Sequence, residues 1–134
     1  MSRSIPMQPK KILVVDDDEI IRTLISNALT SAGYEVFTAE DASSAISQAR
    51  LQRPDLVTLD IELPFDSPGD TWDGFSVAGW LQRLNEDKRT PFVVIAGGDP
   101  AKVGKKAAAM GAYAFLPKPV GKGQLLAVVA EALK

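Results

Sequence analysis

Short apolar runs alternate along this chain with longer stretches in which apolar residues recur every three or four positions. Residues 11–15 (Lys-Ile-Leu-Val-Val) and 55–60 (Asp-Leu-Val-Thr-Leu-Asp) are runs of the first kind, the second starting after Pro54 and stopped by Pro64. Such runs, rich in β-formers and closed by turn residues, predict strands buried on both faces. Further strands are predicted over 34–38, 91–96 and 112–116. Between them the spacing turns helical. Ile21, Leu24, Ile25, Ala28, Leu29 and Ala32 mark one helix, with Asp18 as its N-cap and Gly33 as its stop. A weaker helix over 41–52 turns Ala42, Ala45, Ile46 and Ala49 inward. Another starts near Phe75 with Val77, Trp80, Leu81 and Leu84 on one side. Helices over 99–110, ending at Gly111, and over 123–133, with Leu125, Leu126, Val129 and Leu133, complete the pattern.

Strands alternating with helices predict an α/β fold, because each right-handed crossover returns the chain parallel to the strand it left. All carboxyl ends of the strands then share one rim, where open α/β sheets put their chemistry. Asp16 and Asp17 reach that rim from the first strand, Asp60 from the third, Ala96 and Gly97 from the fourth, and Lys118 from just beyond the fifth. Taken alone, Asp60 is a nucleophile, a metal ligand or a helix cap. The run 16–19 reads equally as a capped, solvated turn, and Lys118 as a surface lysine at a strand end. Together they point further. Carboxylates so close repel unless a cation joins them, which predicts a hard divalent ion with oxygen ligands, Mg²⁺ or Mn²⁺. A metal site alone has no use for Lys118; a phosphoryl group carried on Asp60 would use both cations.

Composition narrows the classes. At 134 residues the chain is expected to form one domain over 11–134 behind a flexible leader over 1–10, with no room for a second. The net charge of −2 argues little either way, but a pI near 5.1 removes the general attraction to nucleic acid and anionic lipid, so direct nucleic-acid binding and membrane association are not expected. With no cysteine and no histidine, the chain has no disulfide frame, thiol chemistry, imidazole base or zinc triad. No apolar run approaches the roughly 20 residues of a spanning helix, and the amino terminus lacks a signal-like core, so a cytoplasmic location is expected.

The run 12–19 (Ile-Leu-Val-Val-Asp-Asp-Asp-Glu), Asp60 followed by Pro64, Asp73-Gly74, and the run 115–119 (Phe-Leu-Pro-Lys-Pro) together resemble the receiver domain of two-component response regulators. The likeness covers residues 11–133 and is to single-domain, chemotaxis-regulator-like receivers. It implies a doubly wound (βα)₅ sheet of flavodoxin-like order 2-1-3-4-5. It implies that Asp60 accepts a phosphoryl group from a histidine kinase or histidine phosphotransfer protein. Asp17, Asp60 and the backbone carbonyl of Glu62 would hold Mg²⁺, with Asp16 acting through a bound water. Lys118 and the N–H of Gly97 would bind phosphoryl oxygens. A cis Lys118–Pro119 bond, an output face built from helix 99–110, the fifth strand and the last helix, and a phosphorylation-linked homodimer belong to the same likeness. Lys102, Lys105 and Lys106 lie on that helix, either as a solvated face or as docking residues.

The chain departs from the family in two places. Ala96 stands where the family has Thr or Ser, whose hydroxyl draws in a switch aromatic, here Phe115. Eight residues, 65–72, separate Pro64 from Asp73, long against the roughly two to six of a βα link. Phe65 and Trp72 within them cover the site, meet a partner, or fold back on the following helix. Three functions therefore stand: a phosphorylation-switched module with no output domain of its own, acting on an unidentified downstream protein with self-dephosphorylation as its only chemistry; a degenerate receiver serving as a phosphate-independent scaffold, kept alive by Ala96; and a phosphohydrolase of the haloacid dehalogenase type, whose nucleophile pair Asp16-x-Asp18 mimics but whose cap the chain lacks.

Overall fold

The computed structural model describes residues 8–61, 79 and 90–134. Five parallel strands, β1 (Lys11–Val15), β2 (Glu35–Ala39), β3 (Leu56–Leu59), β4 (Phe92–Ala96) and β5 (Ala114–Pro117), lie in the order β2-β1-β3-β4-β5. Four helices stand among the described residues: α1 (Glu19–Ser31), α2 (Ala42–Gln52), α3 (Pro100–Met110) and α4 (Lys122–Ala132). The helix expected from Phe75, with Val77, Trp80, Leu81 and Leu84, lies outside them, as do residues 1–7 of the expected leader.

Alternation along the central strands builds two cores. Leu13, Val15, Val57, Leu59, Phe92, Val94 and Ala96 face one side of the sheet, where α2 contributes Ala42, Ala45 and Ala49 and α3 contributes Val103 and Ala107. Ile12, Val14, Leu56, Val93 and Ile95 face the other, against Ile25, Ala28 and Leu29 of α1 and Leu125 and Val129 of α4. The sheet is thus doubly wound, and its middle strands are apolar on both faces for that reason.

The pairing of β1 with β3 positions the acids. At its start Asp55 is tied to Lys11 twice: its carboxylate accepts the Lys11 N–H at 2.8 Å, and its own N–H donates to the Lys11 carbonyl at 2.7 Å. At its end the Asp60 N–H donates to the Val15 carbonyl at 3.0 Å. Register is therefore locked at both ends, and a slip of one residue would turn every apolar side chain of β3 to the wrong face.

Helix termini carry aspartates where the sequence puts them. Asp18 caps α1, Asp99 caps α3, and Asp41 forms a reciprocal capping box with Ser44 on α2. Some expectations shift. The strand expected over 112–116 begins instead at Ala114, because Gly111 takes a left-handed conformation (φ 86°) and Ala112 donates back to Ala107 at 3.0 Å, so it still belongs to the helix cap. Leu24, expected to follow the buried stripe of α1, is 62% exposed. At 100° per residue it lies about 90° from the stripe's centre. It borders an apolar groove of about 500 Å³ between α1 and the start of α4, shared with Ile21, Ile25, Pro119, Val120 and Leu125.

Thr58 sits opposite Val14 and Val93 in the α1–α4 core, 1% exposed, and its hydroxyl has no hydrogen-bond partner among the described residues. A buried hydroxyl left unpaired is a net cost. Thr58→Val, which keeps the shape and removes the hydroxyl, is expected to raise the urea unfolding midpoint by the equivalent of about 1 kcal/mol with an unchanged slope.

Candidate functional site

The run of acids after β1 divides its labour. Asp16, next after the strand, is 1% exposed and held through four contacts: its N–H donates to the Ala39 carbonyl at 3.1 Å, its Oδ1 accepts the Asp18 N–H at 2.9 Å, its carbonyl accepts Arg22 Nη1 at 2.8 Å, and its Oδ2 lies 2.9 Å from Lys118 Nζ. Asp18 turns away and accepts the N–H groups of Ile20 at 2.9 Å and Ile21 at 3.2 Å. Glu19 occupies the exposed first turn of α1, where the helix dipole favours a carboxylate. Asp17 is exposed, yet a carboxylate oxygen of it lies within 4.8 Å of oxygens from both Asp16 and Asp60.

Asp60 follows β3 and is 5% exposed. Lys118, positioned by its N–H donating to the Ala96 carbonyl at 3.0 Å, extends from the end of β5 and donates from Nζ to Asp60 Oδ2 at 3.1 Å. One ammonium thus bridges two buried carboxylates. Burial pushes the Lys118 ammonium down, but the close Asp16 carboxylate and the charge and hydrogen bond of Asp60 outweigh it, so the group is held above its ordinary value of 10.5.

Among the described residues three carboxylates meet one ammonium, an excess of negative charge that suits a divalent ion. The ammonium reaches Asp16 Oδ2 off the hydrogen-bonding direction, so this buried oxygen has an ion-pair partner but no aligned donor among the described residues. Three oxygen donors and an acceptor direction still open fit a hard cation such as Mg²⁺.

Other expected residues lie on or next to β4, β5 and α3. Ala96 is 1% exposed and Gly97 is partly exposed behind it. Phe115, partly buried, packs on the core that holds Ala96, Val103 and Ala107, its Cδ2 3.5 Å from where a Cβ on Gly104 would stand. The Lys118–Pro119 bond is cis, as the likeness implied. Lys102, Lys105 and Lys106 are exposed on α3. Glu62, Phe65, Trp72, Asp73 and Gly74 lie outside the described residues. Sequence reasoning missed Arg22. The signal was present: a cation in the first turn of a helix opposes the dipole and calls for a local reason.

A parallel 2-1-3-4-5 sheet with an acid pair, a central aspartate and a lysine on its carboxyl rim is the architecture of a phosphoacceptor module. The family model for the response regulator receiver domain matches residues 12–130, and this chain belongs to that family. It is a phosphorylation-dependent signalling receiver domain of the two-component type. It is 33% identical over 123 residues to the nitrogen assimilation regulatory protein NtrX of Azorhizobium caulinodans, covering 92% of this chain and 26% of that protein. It is 33% identical to the alkaline phosphatase synthesis transcriptional regulatory protein PhoP of Bacillus subtilis, covering 93% of this chain and 49% of PhoP. Among solved structures, chemotaxis protein CheY4 of Vibrio cholerae superposes with a TM-score of 0.78 at 31% identity, over 93% of this chain and 99% of that one. The chain therefore spans about a quarter to a half of the length of these curated relatives. No helix among the described residues is long and apolar enough to cross a membrane.

Replacing Lys118 by Met leaves two buried carboxylates facing each other. Breaking a fully buried pair costs roughly 3–5 kcal/mol, and with the lysine side chain 20% exposed the loss is expected near 2 kcal/mol at neutral pH, partly restored by millimolar Mg²⁺. Because the fold raises the Lys118 pKa, its stabilisation is complete below the ordinary value of 10.5 and fades as pH rises through the higher folded value. Urea midpoints of the two proteins should therefore converge above pH 10.5.

Proposed function

We propose that Asp60 is the phosphoacceptor and that the chain signals by changing its contacts with other proteins once Asp60 is phosphorylated. The observation that carries this reading is the single ammonium of Lys118 shared between the buried carboxylates of Asp60 and Asp16, with Asp17 beside them. In the transfer, a carboxylate oxygen of Asp60 attacks the phosphorus of a phosphohistidine on a histidine kinase or phosphotransfer protein. The P–N bond breaks, its electron pair stays with the imidazole, and an acyl phosphate remains on Asp60. Lys118 then follows the charge from the Asp60 carboxylate to a phosphoryl oxygen, and the N–H of Gly97 donates to another. Asp17, Asp60 and the Glu62 carbonyl would hold Mg²⁺ or Mn²⁺, with Asp16 acting through water; the ion would supply neutralisation of the incoming phosphoryl charge.

Self-dephosphorylation is the only chemistry this reading assigns to the chain itself. A pI near 5.1 disfavours direct nucleic-acid binding by this segment, and the lack of cysteine suits a reducing, cytoplasmic setting. The output face would be α3, β5 and α4, open to an unidentified downstream protein or to a second phosphorylated copy. Incubation with acetyl phosphate and Mg²⁺ is expected to add the mass of a single phosphoryl group to the intact protein, and Asp60→Asn to abolish the addition; labelling that persists in Asp60→Asn, or none in the unmodified protein, would overturn the assignment.

Ala96 favours a second reading, a scaffold whose partner contacts do not need phosphate. Its buried methyl offers no hydroxyl to a phosphoryl oxygen, and one charge-assisted hydrogen bond is worth roughly 1.5–3 kcal/mol, or about one to two orders of magnitude in a two-state population. The expected outcome is that phosphorylation changes affinity for a captured partner at least about tenfold more in Ala96→Thr than in the unmodified chain. Equal responses in the two proteins, measured by calorimetry, would remove the switch defect, and no response in either would leave the scaffold.

A further inference from the structure

Resting on the receiver reading, we infer that Arg22 is a positioning residue for the metal site: by holding the Asp16 carbonyl it fixes the direction in which Asp17 presents its carboxylate. Arg22 stands in the first turn of α1, where the positive end of the helix dipole disfavours a cation. Its Nη1 folds back to donate to the Asp16 carbonyl at 2.8 Å.

That carbonyl belongs to the same rigid plane as the Asp17 N–H, so the contact sets the orientation of the peptide from which Asp17 departs. Asp16 needs little such help, since Ala39, Asp18 and Lys118 already hold its N–H and both carboxylate oxygens. Asp17 does need it. Its exposed side chain has no hydrogen bond or ion pair among the described residues, yet it is the third oxygen donor of the cluster. Only the backbone aims it, and Arg22 holds that backbone. A residue that orients a ligand without touching the metal commonly tunes affinity by about tenfold or more.

Positioning and plain electrostatics predict opposite signs. A guanidinium near a dication repels it, so if charge alone mattered, removing Arg22 would tighten Mg²⁺ binding. Calorimetric titration of Mg²⁺ into the intact chain without a phosphodonor separates the two. Arg22→Met, which keeps the aliphatic stem, is expected to weaken Mg²⁺ about tenfold, and Arg22→Lys, which keeps a donor able to reach the carbonyl, to restore affinity close to that of the unmodified protein. Undiminished or tighter binding by Arg22→Met overturns the inference alone, as does equal weakening in both variants. An unmodified protein that takes up no Mg²⁺ overturns it together with the metal part of the receiver reading.

Discussion

Two buried carboxylates at the ends of adjacent strands repel, and the fold tolerates them because a cation sits between them. Asp16 and Asp60 are brought together by the pairing of β1 with β3, which buries their stems before any counter-charge is considered. Lys118 supplies that counter-charge from a third strand, β5, two places across the sheet from β3. Sheet order, the crossover helices and the position of the last loop all bear on this one balance. The balance is also incomplete. With Asp17 included, one ammonium faces three carboxylates among the described residues, an excess of negative charge that a divalent metal would offset.

Much of this was legible in the sequence, and the limits of legibility have physical causes. Residues 11–15 form a strand with the expected bounds, because an apolar run that meets consecutive acids has no other place to stop. Asp18, Asp41 and Asp99 cap helices because a short carboxylate at a helix start satisfies orphan N–H groups. Topology then brought Asp16, Asp17, Asp60 and Lys118 together across a span of 102 positions (118 − 16), which no local pattern reveals. What escaped was contact with backbone. Arg22 acts on a carbonyl, and Ala112 is drawn into a helix cap by the left-handed Gly111; neither leaves a side-chain motif. Leu24 escaped for another reason, since helical periodicity marks an apolar face without marking where that face ends.

Ala96 and Gly104 bear on the same aromatic. Phe115 stands opposite Val94, packs on the core that includes Ala96 and lies close to the bare backbone of Gly104 in α3, so the surface it meets there is apolar. Apolar contact is non-directional, whereas a hydroxyl pins a partner to one geometry. The part of the domain facing α3 and β5 is thus held by packing, while the acidic rim is held by charge and hydrogen bonds.

The acidic pocket depends on the whole sheet. Asp16 and Asp60 meet only where β1 and β3 are in register, although α1, β2 and α2 separate the two strands along the chain. Lys118 joins only when β5 has closed the far edge. A partly unravelled chain therefore carries scattered aspartates without their shared cation, so the acidic centre exists only in the assembled sheet.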